Sequence, residues 1–220
     1  MGSWRSILLQ ENNPELPVIL RLLQSETRED NVNGALLMGR YASETRDDIT
    51  RKKQAEMYSE EIFKRILALL RKEDMLCQYA AAWCVAWSDF DRADIIPAGL
   101  IPPIAGQLIS IWKEYDKSDE FMRMISLGLS SVLTPGLQIV NTSVLQSAIE
   151  RSLQSENMNA KCAATCLGIL NHQLTGQDVR EHLKKVNPLF RRARFLRELG
   201  YVDERGNILD ENGNIIEEYP

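Results

Sequence analysis

Between residues 13 and 172 apolar positions recur three and four residues apart, with polar residues filling the gaps. That period is helical and predicts a succession of amphipathic helices. The pattern is densest at residues 78–87, Gln-Tyr-Ala-Ala-Ala-Trp-Cys-Val-Ala-Trp. This stretch predicts a helix buried on nearly every side, with alanines where another helix presses close.

With Ala86 as anchor, three other stretches align to it without gaps, at Gly39, Gly128 and Gly168. The anchors are spaced 47, 42 and 40 residues apart. Twenty residues before them stand Ile19, Ile66, Leu108 and Ala148, followed by Leu20, Leu67, Ile109 and Ile149. These positions predict the apolar face of a first helix in each of four pairs. On the second helix, Ala35, Ala82, Met124 and Ala164 stand four before the anchor, and Met38, Val85, Leu127 and Leu167 one before it. A small anchor residue is what close packing needs, because a larger side chain would force the helix axes apart.

Within this register, residues 78–112 resemble an armadillo repeat. They join Ala81-Ala82-Trp83-Cys84-Val85-Ala86 to Ile95-Ile96-Pro97-Ala98-Gly99-Leu100-Ile101-Pro102-Pro103-Ile104, as that family joins an Ala-rich third helix to a short helix, a glycine turn and an apolar second helix. Residues 13–42 look like a second copy. The copies at Gly128 and Gly168 match in period alone and fit HEAT repeats equally, and both families have units of this length. The resemblance spans residues 13–172. It implies an all-α α-solenoid of about four armadillo/HEAT-like helical repeats.

Peptide-binding armadillo proteins carry a Trp, and an Asn four residues later, on each third helix. Trp83 matches the Trp, but Arg40, Trp87, Leu129 and Ile169 occupy the Asn positions. Without the Asn ladder, the resemblance does not imply capture of an extended basic peptide. If the register holds, columns seven and three before the anchor and one after it face the concave groove. Those columns bring Tyr79, Trp83 and Trp87, then Phe121, Ile125 and Leu129, to the middle of the groove, with Arg40 beside them. An apolar, aromatic surface of this kind marks an interaction site. The same rings also fit burial between neighbouring helices.

Other segments punctuate or end the array. Residues 1–12 form an N-terminal segment, and Gly2 with Ser6 fits an N-myristoylation pattern, or simply a loose terminus. One acyl chain would give a weak lipid anchor. Asn13-Pro14 predicts a helix start, and the charged residues 43–58 predict either a short exposed helix or a solvated connector. Thr134-Pro135-Gly136 breaks the chain before the fourth pair, and residues 115–120 and 155–157 divide the third and fourth. Residues 173–200 predict a helical cap, with helices opening at Thr175-Gly176 and Asn187-Pro188. In the tail, 201–220, Gly206-Asn207-Ile208-Leu209 and Gly213-Asn214-Ile215-Ile216 predict a short β-hairpin.

The net charge of −5 argues against general nucleic-acid binding. Charge is uneven, however. Residues 177–200 carry seven basic residues against three acids, and residues 201–220 carry six acids against one arginine. Arg191, Arg192, Arg194 and Arg197 therefore form either a basic patch for an anionic partner or the dock of the acidic tail. Two long charge-free runs, 95–112 and 124–149, are broken by proline or by polar residues, so no transmembrane segment is expected. Cysteines 77, 84, 162 and 166 show no paired motif, and a reducing, cytoplasmic or nuclear compartment is expected.

Cys162, Cys166 and His172 lack a fourth zinc ligand nearby, and Cys166 shares a packing column with Cys84. The Asp210 loop has the wrong glycine spacing for calcium. No metal or cofactor is expected. The expected function is a non-enzymatic scaffold that binds a partner protein, as a peptide or helix, in the groove. A second reading is a HEAT-like DNA glycosylase or another nucleic-acid-binding α-solenoid, with Trp83, Trp87 and Asp89 at the base and Arg191 to Arg197 on phosphates. A third is a membrane-tethered armadillo scaffold that rests on Gly2.

Overall fold

The structure, a computed structural model, describes residues 16–44, 60–89, 96–114, 119–140 and 142–220. The helix start at Asn13-Pro14, the myristoylation pattern, most of the 43–58 connector and most of the 115–120 turn lie outside the described residues.

Among the described residues eight helices follow in pairs: α1 (Leu16–Gln24) with α2 (Arg28–Glu44), α3 (Glu60–Leu70) with α4 (Met75–Asp89), α5 (Ile101–Glu114) with α6 (Asp119–Val132), and α7 (Ser143–Gln154) with α8 (Met158–Leu170). A 3-10 turn at Ala98–Leu100 leads into α5. The pairs stack in chain order: α2 packs on α4, α4 on α6 and α6 on α8, while α1 packs on α3 and α3 on α5. Two layers result, with the second helices forming a continuous row.

Local chemistry explains the boundaries. The Asp74 carboxylate accepts the Cys77 N–H at 2.9 Å and so caps the start of α4. Thr142 caps α7 and Asn157 caps α8, Asn157 taking the amides of Asn159 and Ala160. After α6 the chain reverses at Thr134-Pro135-Gly136-Leu137, where the Leu137 N–H donates to the Thr134 carbonyl at 3.0 Å. Gly136 has a φ of 84° there, a left-handed value that glycine adopts without steric cost.

The anchor column lies at helix contacts. A β-carbon on Gly39 would meet the Trp83 indole, and one on Gly128 would lie 3.0 Å from the Ala82 carbonyl. Ala86 is buried, and its carbonyl accepts the Ser131 hydroxyl from the next pair at 3.2 Å. The first-helix positions Ile19, Ile66, Leu108, Ala148, Leu67, Ile109 and Ile149 are buried as well, Leu20 half-buried. Each large aliphatic side chain withdrawn from water contributes about 1.5–3 kcal/mol.

The cap departs from expectation in one respect. Helix α9 (Gly176–Leu183) forms, but the segment from Pro188 to Gly200 is not one helix. A 3-10 turn at Pro188–Arg192 ends at Ala193 in extended backbone, and α10 (Arg194–Glu198) follows. The cap closes the stack: α9 packs on α8 and α10 on α6. The tail forms antiparallel strands β1 (Ile208–Leu209) and β2 (Ile215–Glu217), with Val202 bridged to Ile208.

Candidate functional site

Helix α4 is rich in alanine, so its backbone is intrinsically helical and its neighbours approach closely. Tyr79, Trp83 and Trp87 stand four residues apart and therefore share one face. Their rings form a ladder, with Tyr79 and Trp83 stacked at 6.4 Å between centroids and Trp83 and Trp87 tilted at 5.7 Å. The Tyr79 hydroxyl donates to Glu120 at 3.0 Å, tying the ladder to α6. Trp83 and Trp87 remain partly exposed, and neither indole N–H has a hydrogen-bond partner among the described residues. Arg40, on the preceding second helix, is also partly exposed.

The remaining groove residues are placed differently. Phe121, Ile125 and Leu129 are buried, at 3%, 0% and 0% exposure. They are core residues and do not line an open groove. Because α6 is sandwiched between α4 and α8, its apolar positions meet neighbouring helices. Val32, Leu36 and Thr165, which fall in the same repeat columns of the first and fourth pairs, are buried too. Trp83 is itself partly structural, since its ring fills the space that a side chain at position 39 would take. The aromatic candidates thus reduce to a ridge on α4, with Trp87 at one end.

The basic patch is also reassigned in part. The Arg191 side chain is 4% exposed, its guanidinium lies 2.6 Å from Glu217, and its Nε donates to the Leu183 carbonyl at 3.0 Å. It is buried because the β2 strand folds over it. Arg180 joins it: its Nε donates to the Leu209 carbonyl at 2.6 Å, and its guanidinium lies 5.5 Å from the centre of the Tyr201 ring. Arg194 lies 3.4 Å from Glu198, and Arg192 and Arg197 are half-buried with contacts of their own. Arg191 and Arg180 thus hold the acidic tail against the cap.

Cys162 and Cys166 lie in the core, where burial pushes the Cys166 thiol up to about 12 and the Cys162 thiol well above its ordinary value. Among the described residues no group of three or more His, Cys, Asp or Glu is placed to hold a metal, and no helix is long and apolar enough to cross a membrane. His172 sits just past the end of α8 with a φ of 57°. Burial, with Lys185 and Lys161 nearby, lowers the pKa of His182. The side chain of Asp89 lies outside the described residues.

One arrangement has no forerunner in the sequence pattern. Between the third and fourth pairs a cleft of about 360 Å³ is lined by Trp112 and Lys113 from α5 and by Arg151 and Ser152 from α7. Lys113 and Arg151 are far apart in sequence and meet only because α5 and α7 belong to successive pairs. Compared with protein-family models, with curated proteins and with solved structures, the chain matches none.

Proposed function

We propose that this chain is a non-enzymatic interaction module, an armadillo/HEAT-like α-solenoid that docks a partner protein against the aromatic ridge of α4. The observation that carries the reading is the Tyr79–Trp83–Trp87 ladder, whose tryptophans stay partly exposed while Phe121, Ile125 and Leu129 beside them are buried. Partly exposed tryptophan on a rigid helix supplies contact area at small entropic cost, the property of binding hot spots. An amphipathic helix laid across the ridge is the favoured partner. In this reading Trp87 is the anchor and Arg40 flanks it. No cofactor or metal is involved, and a cytoplasmic or nuclear setting fits the free thiols.

The nucleic-acid-acting alternative draws little support from the cap, because Arg191 is buried against Glu217 and Arg194 is close to Glu198. The membrane-tethered alternative rests on Gly2 alone.

The test is affinity for a purified partner across a salt series, for the native chain, Trp87→Ala and Arg40→Ala. Loss of the Trp87 contact is expected to cost roughly 2–4 kcal/mol. Affinity is expected to change little between low and physiological ionic strength, as an apolar interface dictates. Affinity that collapses with salt, together with a silent Trp87→Ala, would overturn the reading.

A further inference from the structure

The cleft between the third and fourth pairs is chemically one-sided. Lys113, in the last turn of α5, and Arg151, in the last turn of α7, both line it and an adjoining cleft of about 370 Å³. No carboxylate among the described residues lines either space. Several cations of this acidic chain pair with acids, among them Arg28 with Asp74, Lys64 with Glu60, Arg123 with Glu120, Lys184 with Glu181 and Arg191 with Glu217. Lys113 and Arg151 have no such partner among the described residues. The one bond between them among the described residues runs from the Arg151 guanidinium to the Lys113 backbone carbonyl at 3.5 Å, which leaves most of their donors unused.

A second observation points the same way. Trp112 is only 3% exposed and lines the first of these clefts, and its indole N–H has no partner among the described residues. That nitrogen is shut off from solvent, so what Trp112 offers the cleft is its ring. The first turn of α8 reaches the same wall at Asn157 and Ala160. Its amides at 159 and 160 are already held by the Asn157 side chain, so α8 contributes the positive end of its dipole and no free N–H there.

We propose that this cleft binds a small phosphate ester, with Lys113 and Arg151 holding the phosphate and the Trp112–Met122 wall covering the organic part. Two unpaired cations suit a dianionic group better than a single carboxylate, and the guanidinium fork matches phosphate oxygens. The volume falls within the range of small-molecule sites. Lys113, Arg151 and the Trp112 ring line one cleft only in the stacked arrangement, which makes the ligand a clamp between the third and fourth pairs.

The experiment is calorimetric titration of the full chain with inorganic pyrophosphate and with free phosphoserine at constant ionic strength, beside a phosphoserine-containing peptide. Saturable binding of the small phosphates at one site is expected. Lys113→Gln and Arg151→Gln are each expected to weaken it at least about tenfold, and the double variant to lose it. Lys64→Gln, at a distant ion pair, leaves it unchanged. Both cleft side chains reach solvent, so the variants keep the unfolding midpoint of the native chain without ligand, and pyrophosphate raises that midpoint only when both cations are present. No saturable binding up to concentrations on the order of 10 mM, or undiminished binding in the double variant, overturns the proposal. Binding of the peptide without binding of the small phosphates overturns the small-molecule assignment.

Discussion

A β-carbon at position 168 would lie 3.0 Å from both Cγ and Cδ1 of Leu174 and 3.7 Å from Cγ2 of Ile149. Glycine is used there for space, because the residue is an ordinary helical one in α8. Gly168→Leu is therefore expected to overpack the interface and cost about 1–3 kcal/mol, read as a lower urea midpoint at unchanged slope. A change within a few tenths would place Gly168 away from any helix contact. The adjacent thiols give a chemical readout of the same packing. Cys166 is pushed to about 12 by burial, so almost no thiolate forms near neutrality and no reagent reaches it. At roughly pH 8, iodoacetamide is expected to leave Cys162 and Cys166 intact in the folded chain and to modify both in urea, as mass spectrometry would show. Modification in the native state at the same rate would mean that α8 opens without global unfolding. The sequence marked Cys84 and Cys166 as packing positions, since they share a column of the repeat, and both are buried.

At the scale of elements, the tail is built from one turn used twice. Asp203 accepts the amides of Arg205 and Asn207 and the Asn207 side chain, and Asp210 accepts those of Asn212 and Asn214 and the Asn214 side chain. Glycines with φ of 90° and 84° follow at positions 206 and 213. Burial opposes the charge of Asp203, but its hydrogen bonds from Asn207 and the turn amides prevail and lower its pKa; the Asn214 side chain leads the same effect at Asp210. A depressed carboxylate pKa contributes stability that is present above the unfolded value of about 3.9 and is lost as pH falls through the folded one. The hairpin is therefore expected to loosen below about pH 4, with the Asn207 and Asn214 side-chain amide signals collapsing while helical ellipticity persists. Loss of both signals together at higher pH would contradict this account. The hairpin was legible from its two Asn-bearing turns, and the charge split offered docking as one of two readings of the basic cap. The particular pairs, Arg191 with Glu217 and Arg180 with the Leu209 carbonyl, were not, since charge patterning pairs segments and not atoms. The break at Ala193 was invisible because no glycine or proline marks it.

At the scale of the molecule, one register repeated along the chain sets α2, α4, α6 and α8 in a row. Periodicity made the pairs legible, because every stacked helix needs apolar residues at the same spacing. It could not separate a column that lines a groove from one that meets the next helix, since both are apolar. That ambiguity explains why Phe121, Ile125 and Leu129 fell inside the core while Trp87 kept a partly exposed face. The Lys113–Arg151 cleft was hidden for a related reason: its residues meet only through stacking. The contact that tests the register most directly joins the first pair to the second. A β-carbon on Gly39 would collide with Cδ1 and Nε1 of the Trp83 indole, too close for either to stay in place. The deciding measurement is a double-mutant cycle of Gly39→Ala and Trp83→Leu by urea unfolding. Gly39→Ala alone is expected to cost a net 1–2 kcal/mol or so, overpacking outweighing the better helix propensity of alanine. In the Trp83→Leu background that cost should largely vanish, a coupling of about 1 kcal/mol or more. Additivity within about 0.3–0.5 kcal/mol would mean that the two residues do not touch, and that the helix pairs are not stacked in this register.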